Sequence, residues 1–419
     1  MNIKKISKCR CCGSKILKLF LDFGKMCLTT EFPNSEAGHQ YKIPMKLVIC
    51  EKCKLFQLLH NYDLNKLYNK NYGYRSGINQ SMSNHLESVT QDVEKIIRFY
   101  KNDIALDIAS NDATLLKKYK NKKIKRFGID PTIKKFSNLY PKSYLKFPGF
   151  FNKDNYNKVA NFKKAKAITS IAVFYDIQNP INFVSDIKDI LDKDGVWILE
   201  QSYLPLLIKN NAYDSICHEH LSYFMYRQIK NLLDKFEMHV FDVKFNYMNG
   251  GSVRLFISHK LSFFKINKKN IKNITSVENK IFNNFSKIIN NFRKSILKSR
   301  IKLANVIKKI NKEKKIIHLY GASTKGNVIL QYCKITKKMI PFAAERNKDK
   351  FGKFTPGTLI PIISEKESRK KNPDYYLVMP WHFEKEILLR EKSFLENGGK
   401  IIFPLPYIKV ISKRRTPIE

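Results

Sequence analysis

Two patterns of apolar and polar positions recur along this chain. The first is a short apolar run, a turn of small or polar residues, and the start of a helix. Ile104-Ala-Leu-Asp107-Ile-Ala-Ser-Asn-Asp112-Ala-Thr-Leu-Leu116 has this form, and Arg126-Phe-Gly-Ile-Asp130-Pro follows as a second strand ending in an acid. Ala165-Lys-Ala-Ile-Thr-Ser-Ile171, leading into Ala172–Ile177, and Asp194-Gly-Val-Trp-Ile-Leu-Glu200 read as later strands, the latter approached by a helix around Ile187–Leu191. Short apolar runs alternating with helices predict a parallel, doubly wound sheet. The pattern restarts at Lys315-Ile-Ile-His-Leu-Tyr320-Gly-Ala-Ser-Thr-Lys-Gly-Asn327, with further strands expected over 341–346, 375–379 and 400–403. The second pattern fills 262–313, where Ile and Phe recur at helical spacing among Lys and Asn. It predicts long amphipathic helices whose apolar stripes pack between the two sheet domains.

The four paired cysteines add a third unit. Cys9-Arg-Cys-Cys12-Gly and Cys50-Glu-Lys-Cys53 each supply a Cys-x-x-Cys. Four thiolates from two such knuckles suit a tetrahedral structural zinc with no open position. Cys11 competes for the site, but Gly13 after Cys12 permits the tight turn that favours Cys9 and Cys12. The expected fold is α/β in three parts. They are a small zinc-binding domain (1–72), a central Rossmann-like domain (73–260), and a C-terminal Rossmann-like α/β domain with a helical lead-in (261–419).

Composition constrains function more than fold. Apolar residues make up 43% and charged residues 27% of 419, but the formal net charge is +42. Clustered basic charge would point to nucleic acid or anionic lipid. Here the lysines are scattered, as in Asn267-Lys-Lys-Asn-Ile-Lys-Asn273, so no nucleic-acid partner is expected, although a basic surface attracts a phosphorylated substrate. No window of about 18 apolar residues predicts a membrane span. Met1-Asn-Ile-Lys-Lys lacks a signal peptide's apolar stretch, which predicts a cytoplasmic protein with reduced thiols.

In the central turn Ala109, Asn111 and Ala113 occupy the three places of a Gly-x-Gly-x-Gly loop. Pyrophosphate dinucleotides need glycine for close backbone approach. S-adenosylmethionine carries no phosphate and tolerates such a turn. Asp107, Ala109, Ser110 and Asn111 are the expected cofactor loop, and Asp130 the acid that accepts hydrogen bonds from ribose hydroxyls.

The densest chemistry lies at Cys217-His218-Glu219-His220, in a chain with nine histidines. Such a run suits proton transfer or a metal, but HExxH helical spacing is missing.

Together these motifs resemble the nucleotide-sugar C-methyltransferases that build branched deoxysugars. The resemblance runs over nearly the whole chain. Beside the cysteine knuckles and His218-Glu-His220 it rests on Leu55-Phe-Gln57, Tyr72-Gly-Tyr74-Arg-Ser76, Ser110-Asn-Asp112, Gly250-Gly-Ser252-Val-Arg254, Gly321-Ala-Ser-Thr-Lys325-Gly-Asn327 and Gly352-Lys-Phe-Thr-Pro-Gly-Thr358. It implies His220 as base, Glu219 shaping the site, Tyr72 or Tyr74 near the substrate, and Lys325 and Asn327 binding it. The chain departs from the family at Cys217, where Tyr is usual, at Asp176, where His or Asn is usual, and at Ala109 and Ala113.

Methyl transfer requires an acceptor made nucleophilic and held in line. A carbon beside a ketone becomes nucleophilic when a base takes its proton, and His is the base matched to neutral pH. A hydroxyl acceptor would need the same base, so O-methylation of a sugar or sugar-linked acid is the alternative. A zinc-containing nucleic-acid-binding protein is a third, more distant reading. Glu219 is expected to hold an imidazole tautomer or contact the ligand, and on an extended segment it would reach a ligand more easily than His220. His218 is a second acid or a structural residue, Arg254 a candidate for a substrate phosphate, and His382 a helix cap. The sugar, the nucleotide and the oligomeric state stay open.

Overall fold

A computed structural model describes residues 3–38, 40–68 and 72–413. Met1 and Asn2, where the leader reading begins, lie outside the described residues. Its centre is a seven-stranded sheet. In chain order the strands are β1 Ile104–Ile108, β2 Lys125–Ile129, β3 Leu145–Phe147, β4 Ala165–Ile171, β5 Leu191–Ser202, β6 Met238–Asn246 and β7 Ser252–His259. They lie in the order β3-β2-β1-β4-β5-β7-β6. β1 to β5 are parallel, and β7 runs antiparallel to both of its neighbours. All five residues of β1 are buried, as expected for a strand covered on both faces. The order reverses between β1 and β4, which leaves a crevice beyond their C-terminal ends where ligands of open α/β sheets bind.

The C-terminal sheet repeats this plan. Its strands lie in the order Ile362–Ser364, Ala343–Glu345, Ile317–Tyr320, Tyr375–Val378, Lys400–Phe403, Lys409–Ile411, with only the last antiparallel. Counted within each domain, both sheets share the progression 3-2-1-4-5, and the C-terminal ends of both sets of strands contribute to one cavity.

The N-terminal sheet pairs Leu17–Cys27 with Lys42–Cys50 and Lys42–Cys50 with Phe56–Leu58. Its fourth strand, Ser222–Tyr223, comes from far along the chain, with Ser222 opposite Gln57 and Tyr223 opposite Phe56.

The lysine-rich segment forms the helices Lys268–Asn283 and Phe285–Lys312. On the second, Ile289, Phe292, Ile296, Leu303, Ile307 and Ile310 form one buried stripe. That stripe shares a core with Phe20 and Phe56 of the N-terminal sheet and with Ile317 and Leu319 of the C-terminal sheet. The expected packing between the two large sheets is therefore corrected, because this helix joins the small sheet to the last one. Leu303 is fully buried, so truncation to Ala would cost about 2–5 kcal/mol.

The strand read over Ala165–Ile171 ends there, and the segment it leads into is a turn. Ala172 turns the chain with φ 56°, and Phe174–Asp176 forms a single 3-10 turn. Among the described residues no helix is long and apolar enough to cross a membrane.

Candidate active site

The two cysteine knuckles fold alike. Gly13 and Lys54 donate back to the carbonyls of Cys9 and Cys50, while Cys9 and Cys50 donate forward to the carbonyls of Ser14 and Leu55. Gly13 and Lys54 both take left-handed conformations, at φ 74° and 59°. The sulfurs of Cys9, Cys12, Cys50 and Cys53 lie within 4.8 Å of one another, with Cys9–Cys53 at 3.6 Å and Cys12–Cys50 at 3.5 Å. Four sulfurs about 2.3 Å from a central zinc stand roughly 3.8 Å apart, so the donors fit a tetrahedral zinc site. Cys11 turns its sulfur away, toward the Gln228 carbonyl at 3.7 Å.

A cavity of about 470 Å³ connects the central and C-terminal sheets. At its central end Asp107, Ala109, Ser110, Asn111 and Asp130 all line it, as the sequence predicts. Burial raises the Asp107 carboxyl to about 7, against the hydrogen bond donated by Thr169 at 2.6 Å. Asp130 ties the loop together by accepting from the backbone N–H groups of Asn111 and Thr132. Ala109, Asn111 and Ala113 have φ of 61°, 48° and 63°. Those angles explain why glycine suits such loops, since a left-handed non-glycine residue carries strain of about 1–2 kcal/mol.

Tyr72 and Tyr74 line the cavity too. The stretch after them is fastened to the cofactor loop. Ser76 N–H donates to Asn111 Oδ1 at 3.0 Å, Gly77 N–H to Asp112 at 3.1 Å, and Arg75 pairs with Asp112 at 3.1 Å. A Cβ on Gly77 would stand 2.7 Å from the Asp112 carboxylate, so only glycine fits that approach.

Cys217, Glu219 and His220 face the same space. They occupy a turn, not an extended segment, closed by His220 N–H donating to the Cys217 carbonyl at 3.1 Å. This corrects the alternation argument, because the turn lets both Glu219 and His220 reach the cavity. Glu219 holds no imidazole among the described residues. Its carboxylate accepts from Thr30 at 2.8 Å and Thr29 at 3.2 Å, both from the N-terminal domain. The Ser215 carbonyl orients His220 instead, accepting from Nδ1–H at 2.7 Å and leaving the Nε2 lone pair unused. Tyr175 packs on the ring at 4.2 Å between centroids. Burial, helped by the Lys325 charge, lowers His220 to about 3, so the imidazole is neutral at physiological pH.

Lys325 also lines the cavity and donates to the Asn249 carbonyl at 3.1 Å. Three expected site residues do not reach it. His218 is fully buried against the Tyr62 ring, 5.0 Å away. Asn327 is buried and donates to the Thr29 carbonyl at 2.8 Å. Arg254, on β7, is buried between Glu200 at 2.7 Å and Asp92 at 2.6 Å. Each is consumed by packing between elements. Of the two places open to His382, a pocket wall and the favoured helix cap, it takes the wall, and burial with the Lys325 charge lowers it to about 3.

Sequence reasoning missed His85, which lies on the helix Gln80–Ile96 and meets Glu200 at the cavity wall. It missed Tyr68, whose hydroxyl donates to Asp176 at 2.9 Å. It also missed Arg10, which lies between the zinc cysteines. The buried guanidinium of Arg10 donates to the carbonyls of Leu58 (2.7 Å), His60 (3.0 Å) and Leu221 (3.3 Å). The only signal for it was an arginine inside a zinc knuckle.

Three family models match successive stretches of the chain: a zinc binding domain over 9–68, a methyltransferase domain over 86–241 and a C-methyltransferase C-terminal domain over 247–406. C-methyltransferase NovU of Streptomyces niveus is 26% identical over 417 residues, covering 99% of both chains. Among solved structures, plantazolicin methyltransferase BpumL with S-adenosylhomocysteine and a desmethyl plantazolicin analogue is 12% identical over 42% of this chain and 83% of its own (TM-score 0.33). The related BamL complex is 14% identical over 43% and 86% (TM-score 0.34). With a four-thiolate zinc site, a methyltransferase sheet and a match to the C-methyltransferase C-terminal domain in this order, the chain is an S-adenosylmethionine-dependent methyltransferase.

Proposed function

We propose that the protein methylates a carbon next to a ketone on a nucleotide-activated deoxysugar, with His220 as the base. The observation that carries this reading is the state of His220. It is a neutral imidazole with Nδ1 fixed by the Ser215 carbonyl and Nε2 unused, in a cavity whose two ends lie at two α/β switch points. When bound, S-adenosylmethionine supplies a methyl group on a sulfonium, which needs little activation. Asp130 would accept from its ribose hydroxyls, and Asp107, Ala109, Ser110 and Asn111 would form the loop that holds it. At the other end Lys325 offers a cation to the nucleotide's phosphates, and Tyr72 and Tyr74 flank the sugar. Nε2 takes the proton from the acceptor carbon. The Glu219 carboxylate, held by two threonines, accepts from sugar hydroxyls. An anionic substrate raises the proton affinity of His220 at the moment it is needed.

The test is His220→Asn, assayed for methyl transfer to a keto-sugar nucleotide and for deuterium exchange beside the ketone without methyl donor. The reading expects turnover and exchange to fall together by about 100-fold or more. Unchanged turnover removes the base assignment. Methyl transfer by the wild type to a hydroxyl, with no exchange, favours O-methylation.

A further inference from the structure

Two carboxyl groups with opposite surroundings face the reacting end of the cavity, Glu219 and Asp176. Glu219 has a hydrogen-bonded environment, with the hydroxyls of Thr29 and Thr30 donating to its carboxylate. Asp176 has a different one. Tyr68 donates to its Oδ2 at 2.9 Å, while its Oδ1 is buried and has no hydrogen-bond partner among the described residues. No ion pair reaches it among them either. The one charge that bears on it is that of Glu219, and the side chains on which Asp176 acts in turn, Tyr68, Tyr72, Tyr175, Tyr223 and Cys217, include no cation. Burial, with the Glu219 charge adding to it, holds the Asp176 carboxyl well above the usual carboxylate range.

Neighbouring carboxyls in a dry site do not both ionise, and surroundings that separate them assign acid and base roles. We infer that Asp176 is a neutral acid that donates a hydrogen bond to the acceptor's carbonyl oxygen while His220 removes the proton from the adjacent carbon. The inference rests on the proposed C-methylation. Its steps balance. The carbon–hydrogen bond breaks, its proton goes to His220 Nε2, and its electron pair becomes an enolate whose oxygen is held by the Asp176 O–H. Asp176 keeps its proton. The enolate carbon then takes the methyl group from the sulfonium, which leaves as a neutral thioether, and His220 returns its proton to water. Asp176 is placed for this role by the turn at Ala172, which ends β4 and lifts Phe174–Asp176 over the crevice.

Two measurements test it. In the infrared, wild-type protein at pH 7 should show the carbonyl band of a protonated carboxyl that disappears in Asp176→Asn. This measurement needs no substrate, and absence of the band overturns the inference whatever the acceptor is. In exchange and methyl-transfer assays on a keto-sugar nucleotide, Asp176→Ala should lose about 100-fold or more in both rates. Asp176→Asn, which retains a neutral N–H donor, should stay within about tenfold of wild type. Asp176→Asn as inactive as Asp176→Ala, or Asp176→Ala within threefold of wild type, overturns it. A wild-type enzyme that shows the band but neither exchanges nor methylates keto sugars refutes the proposed substrate and leaves the neutral Asp176 standing.

Discussion

The Arg10 guanidinium donates to the backbone carbonyl of Leu221, the residue directly after His220, across 211 positions of sequence. Together with the pairing of Ser222–Tyr223 to Phe56–Leu58, this contact fastens the turn that carries Glu219 and His220 to the zinc module. Arg10→Met takes a donor from the carbonyls of Leu58, His60 and Leu221, of which Leu221 keeps the Leu58 N–H, at about 1–3 kcal/mol in all. The variant should keep its zinc, melt well below wild type, and lose roughly tenfold or more in kcat. Zinc release assays, thermal melts and kinetics on the same preparation check this; unchanged kcat would show that the turn holds its shape without Arg10.

Arg254 reads from sequence as a phosphate ligand and lies instead between Glu200 and Asp92. Arg254→Met leaves Glu200 to His85 and Asp92 to Lys244 and should cost about 1–3 kcal/mol of stability. Substrate KM should change little in whatever fraction stays folded. Denaturant melts alongside KM decide the point, and a raised KM at full stability would return Arg254 to the substrate.

Ala109 bears left-handed strain with part of its surface open to the cavity. Ala109→Gly relieves that strain, less the extra entropy of an unfolded glycine, for a net gain of about 0.5–1 kcal/mol. Ala109→Val should destabilise by more than that, since a β-branched residue resists this conformation. Paired thermal melts should show shifts of opposite sign.

His220 also governs pH dependence. Its folded value, about 3, lies below the unfolded value, so the unfolded chain binds the proton first as pH falls. Stability owed to this neutral group is complete above about pH 6.5 and drains away toward pH 3 at about 1.4 kcal/mol per pH unit. Buried acids such as Asp107 pull the other way, so the clean readout is a difference. Between pH 6.5 and 4, His220→Asn should lose stability less steeply than wild type by about that slope. Parallel slopes would mean that His220 is solvated.

Much of the fold was legible because buried parallel strands write themselves as unbroken apolar runs, as at Ile104–Ile108 and Tyr375–Val378. Strands that escaped notice are short or at sheet edges, such as Leu145–Phe147, or partly exposed, such as Met238–Asn246. The zinc cysteines were legible because their spacing is local. The partners of Glu219 and Arg254 were not, since Thr29 and Asp92 meet them only through tertiary contacts, and the Ser215 carbonyl, though local, meets His220 only because the segment folds as a turn. A buried arginine and a solvated one look the same in sequence, as do a neutral aspartic acid and an ionised aspartate.

The strand Ser222–Tyr223, seated on the edge of the N-terminal sheet, bears on how such chains can evolve. Recombination that replaced the first module would replace Thr29, Thr30, Arg10 and the sheet edge at once, and with them the support of Glu219 and His220. The zinc module and the turn of Glu219 and His220 therefore depend on each other across the intervening methyltransferase domain, and chimeras joined between them should lose methyl transfer even where both parts fold.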